Sequence, residues 1–114
     1  MNIFNVPTMD SGLEWIKRGI WGTSKNYNFH IGDVLLFRTP SGYVAKATVA
    51  SDTIENIVNL DGFTSKFSMM LKDIEIFDEP IPVELDLLRA LGIKAFQIPL
   101  TFNEDAGKYM LKIL

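Results

Sequence analysis

The sequence of 114 residues has no cysteine and a single histidine, His30. Disulfides and thiolate metal sites are thereby excluded. A Ser-His-Asp arrangement would have to use His30, which stands in a polar stretch with no nucleophile motif beside it. An isolated histidine lacks the partners that catalysis or ligation needs, so no catalytic residue and no metal site is expected. There is no phosphate-cradling glycine loop and no paired-carboxylate motif either, so no cofactor is expected. No window approaches the roughly 20 apolar residues of a membrane-spanning helix, and the first residues show no basic region leading into an apolar run. The expectation is a cytoplasmic protein without a membrane partner. A net charge of −3 argues against indiscriminate nucleic-acid binding through a broad basic surface.

What the sequence does hold is enough apolar material for one core. It is 47% hydrophobic and 22% charged, ordinary for a globular domain, and residues 1–114 read as a single domain. The charge is uneven. Residues 1–50 carry Lys17, Arg18, Lys25, Arg38 and Lys46 against Asp10, Glu14 and Asp33, whereas residues 51–114 carry six basic and eleven acidic side chains. A polyanion would approach the N-terminal half.

Residues 2–6 read as a strand closed by Pro7. Ser11 and Glu14 have capping-box spacing, and Leu13, Ile16 and Trp15 give an apolar side to a two-turn helix that Gly19 ends. The apolar run 34–37 reads as a strand buried on both faces, and Thr39-Pro40-Ser41-Gly42 as the turn into an alternating strand over 43–49. Residues 51–65, including Asp61 and Gly62, read as a long loop with room for a short strand over 57–60. A further strand spans 66–76, where Met69-Met70 fills an irregular core. After Pro80 and Pro82, residues 83–91 have helical spacing stopped by Gly92, and 95–101 read as a strand. Asn103 caps a last helix over 104–114, with its acids first and lysines last, as the helix dipole favours. The expected class is α+β: a small mixed pseudo-barrel of five to six strands with three short helices.

The candidate site is Gly19-Ile20-Trp21-Gly22-Thr23-Ser24. Here the indole of Trp21 stands beside glycine and two hydroxyls rather than inside an apolar strand, which suits the wall of a half-open pocket. Phe4 and Tyr27 are available to complete an aromatic enclosure, and Trp15 is read as structural. Asp33 is explained by a turn ahead of the strand, with ligand contact as the other reading. Arg38, ending an apolar strand, either reaches solvent, clamps a phosphate or stacks on a base.

Taken in order, this step, the strand entry Gly32-Asp33-Val34-Leu35-Leu36-Phe37, the small-residue strand 43–49, Pro80-Ile81-Pro82 and Asn103-Glu104-Asp105-Ala106 resemble the EVE domains of the PUA-like superfamily. The resemblance runs over nearly the whole chain and implies a single EVE-like domain over 1–114 with a PUA-like pseudo-barrel. It further implies a pocket for a flipped, modified base such as a methylated cytosine or adenine, as in the recognition module of a modification-dependent restriction system. Unstacking a base costs a few kcal/mol, which aromatic stacking and edge contacts offset. Trp21 would form a pocket wall, Thr23 and Ser24 would meet the base edge or a phosphate, and Phe4 matches the aromatic place on the opening strand. Arg38 departs from the pattern, standing where the family has tyrosine. The basic residues Arg38, Lys25, Lys17 and Arg18 are the candidates for the backbone of the strand. The implied partner is nucleic acid with a modified base, DNA ahead of RNA, and a nuclease or motor domain in the same system. Trp21→Ala is expected to remove the preference and spare the fold.

Two other functions compete. One is an RNA-binding or interaction module without modified-base preference. The other is a small hydrolase similar to the ASCH branch of the superfamily, whose Gly-x-Lys-x-x-Glu-x-Arg signature would support proton transfer. Gly12-Leu13-Glu14 lacks that lysine, and Gly19 is followed by Ile20 and Trp21, so no enzymatic activity is expected.

Overall fold

The alternation of side chains along a strand decides how this chain folds, because two of its central strands are apolar on both faces. A computed structural model describes residues 1–60 and 63–114, with side chains described outside 57–63. The elements are β1 (Ile3–Pro7), α1 (Gly12–Lys17), β2 (Ile20–Thr23), β3 (Val34–Thr39), β4 (Gly42–Val49), β5 (Ile54–Leu60), β6 (Phe63–Ile81), α2 (Leu85–Ala90), β7 (Leu100–Thr101) and α3 (Glu104–Ile113). They form one seven-stranded sheet in the order β2-β6-β4-β3-β1-β7, with β5 also on β6. β1 runs parallel to β3, and the other pairs are antiparallel.

The 19-residue β6 gives the sheet its curl. Its later half pairs with β4 from Leu71 to Ile81, while its earlier half pairs with both β2 and β5. The register with β4 slips between Lys46 and Thr48, opposite Asp73, whose φ of +50° is a left-handed conformation that aspartate tolerates better than most residues. An irregularity of this kind bends a strand and increases its twist.

Side chains from the two sheet faces make two apolar clusters. Phe4, Val6, Leu35 and Phe37 point to one, with Trp15, Ile16 and Trp21; Ile3 and Leu36 point to the other, with Leu88, Ile93 and Met110. The reading of 34–37 as doubly buried therefore holds. So do the stop at Gly19, with φ +78°, and the cap at Asn103, whose Oδ1 accepts the Ala106 N–H at 2.8 Å.

Several expectations are corrected. Residues 20–23 form a strand, because Ile20–Thr23 pair with Met70–Phe67 of β6. Gly22 lets β2 pack closely: a Cβ on it would lie 2.5 Å from Ser65 Oγ. Ser11 makes no side-chain cap bond, since the helix is entered through a backbone turn in which Gly12 N–H reaches Met9 O at 2.9 Å. The stretch taken as a loop over 51–65 contains the seven-residue β5, while the part of that reading placed on Asp61 and Gly62 lies outside the described residues. In 95–101 only Leu100–Thr101 pair as a strand.

Candidate functional site

The cluster beside α1 is incompletely covered, since α1 has six residues and carries Trp15 and Ile16 inward. Gly19 turns the chain back at its end, and that reversal brings the indoles of Trp15 and Trp21 together, with centroids 5.9 Å apart and planes at 60°. Trp21 also meets Phe37 edge-on at 4.8 Å. Outside these rings lies a cavity of about 290 Å³ lined by Val6–Met9, Ser11, Gly12, Trp15, Trp21–Ser24, Tyr27, Gln97 and Pro99. Its size is at the lower end for small-molecule sites, and its mainly apolar walls with a few polar groups are what such sites have.

Two of the lining hydroxyls are already engaged. Thr23 Oγ1 donates to the Lys25 carbonyl at 2.7 Å, so it keeps only its acceptor lone pairs for a ligand. Thr8 Oγ1 donates to Met9 O at 3.2 Å. Ser24 and Gln97 are exposed at the rim. Gly12 is part of the floor: a Cβ there would collide with Thr8 Oγ1 and come within 3.3 Å of the Trp21 ring. Trp21 Nε1 is buried and has no acceptor among the described residues.

Of the residues singled out from sequence, the structure gathers Trp21, Thr23, Ser24 and Tyr27 around this cavity. Phe4 is not among them; it is buried in the same cluster as Trp21 but does not line the cavity, its ring 4.7 Å from Phe29 in an edge-on pair. Lys25 is exposed next to Ser24, Lys17 is exposed and paired with Glu14 at 3.4 Å, and Arg18 is exposed just past α1. Arg38 lies behind the wall rather than in it, half-buried with its guanidinium over the ring of Phe96. Trp15, read as structural, is a pocket wall as well. The signal for it was the Gly19 stop, which folds α1 back onto the following residues. Met9, Gln97 and Pro99 carried no local signal, since they arrive from distant parts of the chain.

Asp33 has a structural task. Its Oδ1 accepts the Asn2 N–H and its Oδ2 the His30 N–H, both at 2.9 Å, which ties the chain start and the loop to the entry of β3. In the second cluster Tyr43 donates to Asn5 Oδ1 at 2.6 Å. Burial pushes the Tyr43 phenol far above its ordinary pKa, with the charge of Arg38 pulling the other way, so it remains a donor.

No family model matches the sequence, and no curated protein matches it. Solved structures do. The chain is similar to the YTH domain of mmi1 in a complex with RNA (TM-score 0.68, 11% identity, covering 98% of this chain and 80% of that one). It is similar to a mutant ZmASCH protein from Zymomonas mobilis (0.70, 9%, 98% of each chain). It is also similar to the YTH domain of Zygosaccharomyces rouxii MRB1 in complex with N6-methyladenosine RNA (0.62, 16%, 98% and 85%). At these identities the likeness is one of fold, and the chain has the PUA-like fold that YTH and ASCH domains share.

Proposed function

We propose that this chain is a nucleic-acid reader domain whose cavity beside Trp15, Trp21 and Tyr27 receives one modified base. The observation that carries the reading is the cavity itself: aromatic and apolar walls, hydroxyl and amide groups at the rim, and a volume of about 290 Å³, on a fold whose solved examples include RNA complexes. Indole and phenol faces offer stacking to any base, and an added methyl group gains apolar contact with Met9 and Pro99. The lining includes no carboxylate, imidazole or amine among the described residues, which favours binding over proton-transfer chemistry. Within the PUA-like fold, the order of motifs supports an EVE-like domain and a role in recognising modified nucleic acid for a restriction system. The nucleic-acid complexes among the neighbours hold RNA, so RNA takes precedence over the DNA expected from sequence.

The test is a binding panel of short single strands and duplexes, RNA and DNA, each with one unmodified, N6-methyladenine, 5-methylcytosine or 5-hydroxymethylcytosine base, at two salt concentrations. A preference for one modification that survives high salt is expected, and it should shrink in Tyr27→Ala, where a half-buried wall is removed at the rim. Uniform binding that disappears with salt, in all strands, overturns the reading.

A further inference from the structure

Beside the pocket, the ring of Phe96 carries two guanidinium groups, with Arg38 Cζ 5.5 Å and Arg89 Cζ 5.4 Å from its centroid. They come from different elements, β3 and the helix α2, and Arg38 and the Phe96 ring are both tied to the pocket wall. Arg38 pairs with Pro7, and its carbonyl accepts the Thr8 N–H at 2.8 Å. Phe96 immediately precedes Gln97, and Pro7, Thr8 and Gln97 all line the cavity. A register shift between Phe37 and Arg38 breaks the regular pairing of β3 at this point, a device that re-aims a side chain.

Two like charges on one ring repel each other unless an opposite charge joins them. The counter-charge present is slight: Asp86 pairs with Arg89 at 3.0 Å, but the carboxylate is 93% exposed, and such pairs contribute little. Arg38 has no ion pair among the described residues, and its Nε is buried without an acceptor among them. The guanidinium of Arg89 is 56% exposed and has N–H groups beyond the one it donates to Asp86, and a guanidinium fork matches two oxygens of one phosphate.

We infer that Arg38 and Arg89, arrayed on Phe96, form a phosphodiester-binding site for the nucleotide adjoining the one in the pocket. This rests on the reading of the pocket as a nucleic-acid site, and it sets the direction in which the strand leaves: across residues 96–99 toward α2.

The experiment measures affinity by fluorescence anisotropy over a range of salt, for a single-stranded RNA with one N6-methyladenosine and its unmodified twin. It uses the whole chain and the variants Arg89→Gln, Arg38→Gln and, as a charge-matched control on α3, Lys112→Gln. Arg89→Gln and Arg38→Gln should each weaken both RNAs by the same factor and make the slope of log affinity against log salt shallower by about 1, leaving the ratio between the two RNAs unchanged. Lys112→Gln should leave the slope alone. Arg89 is exposed, so its variant keeps the test decisive if Arg38→Gln is poorly folded. An unchanged slope in Arg89→Gln, or an equal fall in Lys112→Gln, overturns the inference while the modification preference still stands. Loss of the preference across modified strands, with the slope still falling in Arg89→Gln, overturns the pocket reading instead. Failure of both RNAs to bind overturns the inference, and the pocket reading falls with it when no strand of the wider panel binds either.

Discussion

The two faces of the sheet are packed by different means. On one face, α2, residues 91–102 and the ten-residue α3 cover a cluster of Ile3, Leu36, Leu88, Ile93, Phe102 and Met110, with Tyr43 and Asn5 hydrogen-bonded beneath. On the other, the six-residue α1 faces a cluster rich in rings: Phe4, Trp15, Trp21, Phe29 and Phe37. A short helix cannot cover that much surface, and large rings packed at angles leave space that aliphatic side chains would fill. The cavity opens on the ring-rich side for both reasons. The lesson is that the site is a consequence of how the core is closed, and its walls are core residues as well.

That comparison can be broken experimentally. The largest effect is expected for Trp21→Ala: Trp21 is 6% exposed, and removing such a ring costs about 4 kcal/mol, so the variant loses stability together with ligand preference in denaturant unfolding and binding assays. This replaces the expectation that the fold would be spared. Leu88→Ala, in the other cluster and fully buried, should cost about 3 kcal/mol and leave the preference of the folded protein intact; a changed preference would show that the two faces are coupled. Gly12→Ala sharpens the contrast from the pocket side. Thr8 must turn its hydroxyl away from the new methyl, at about 1 kcal/mol, while affinity for a base falls by more than stability alone explains. Smallest is Asn103→Ala, which removes the cap of α3 at about 1 kcal/mol or less and should leave binding unchanged in the same assays.

The parts readable from the sequence are those with local causes. Residues 34–37 announced a doubly buried strand because every one is apolar. Gly19, Asn103 and the turn at Thr39–Gly42 act through backbone conformation and caps that involve neighbouring residues only. Trp21 stood out as a pocket wall for its hydroxylic company, and it does line the cavity, yet its surroundings are a strand and a core. Phe4 packs against Phe29 away from the cavity, since period-2 alternation tells that a strand has two faces but not what lies over each, and Trp15 on the six-residue α1 is core and cavity wall at once.

What the sequence by itself determined is therefore the inventory: enough apolar material for a core, the hairpin of β3 and β4, the Gly19 stop and the Asn103 cap, and a chain without cysteine or a second histidine. Tertiary structure alone decided which residues meet. The pairing of Ile20–Thr23 of β2 with Met70–Phe67 of β6, the approach of Gln97 and Pro99 to Met9, and the gathering of Arg38 and Arg89 on Phe96 all depend on contacts distant in sequence. Their free energy comes from burying surface between elements, and no local pattern of residues encodes that surface before the sheet has curled.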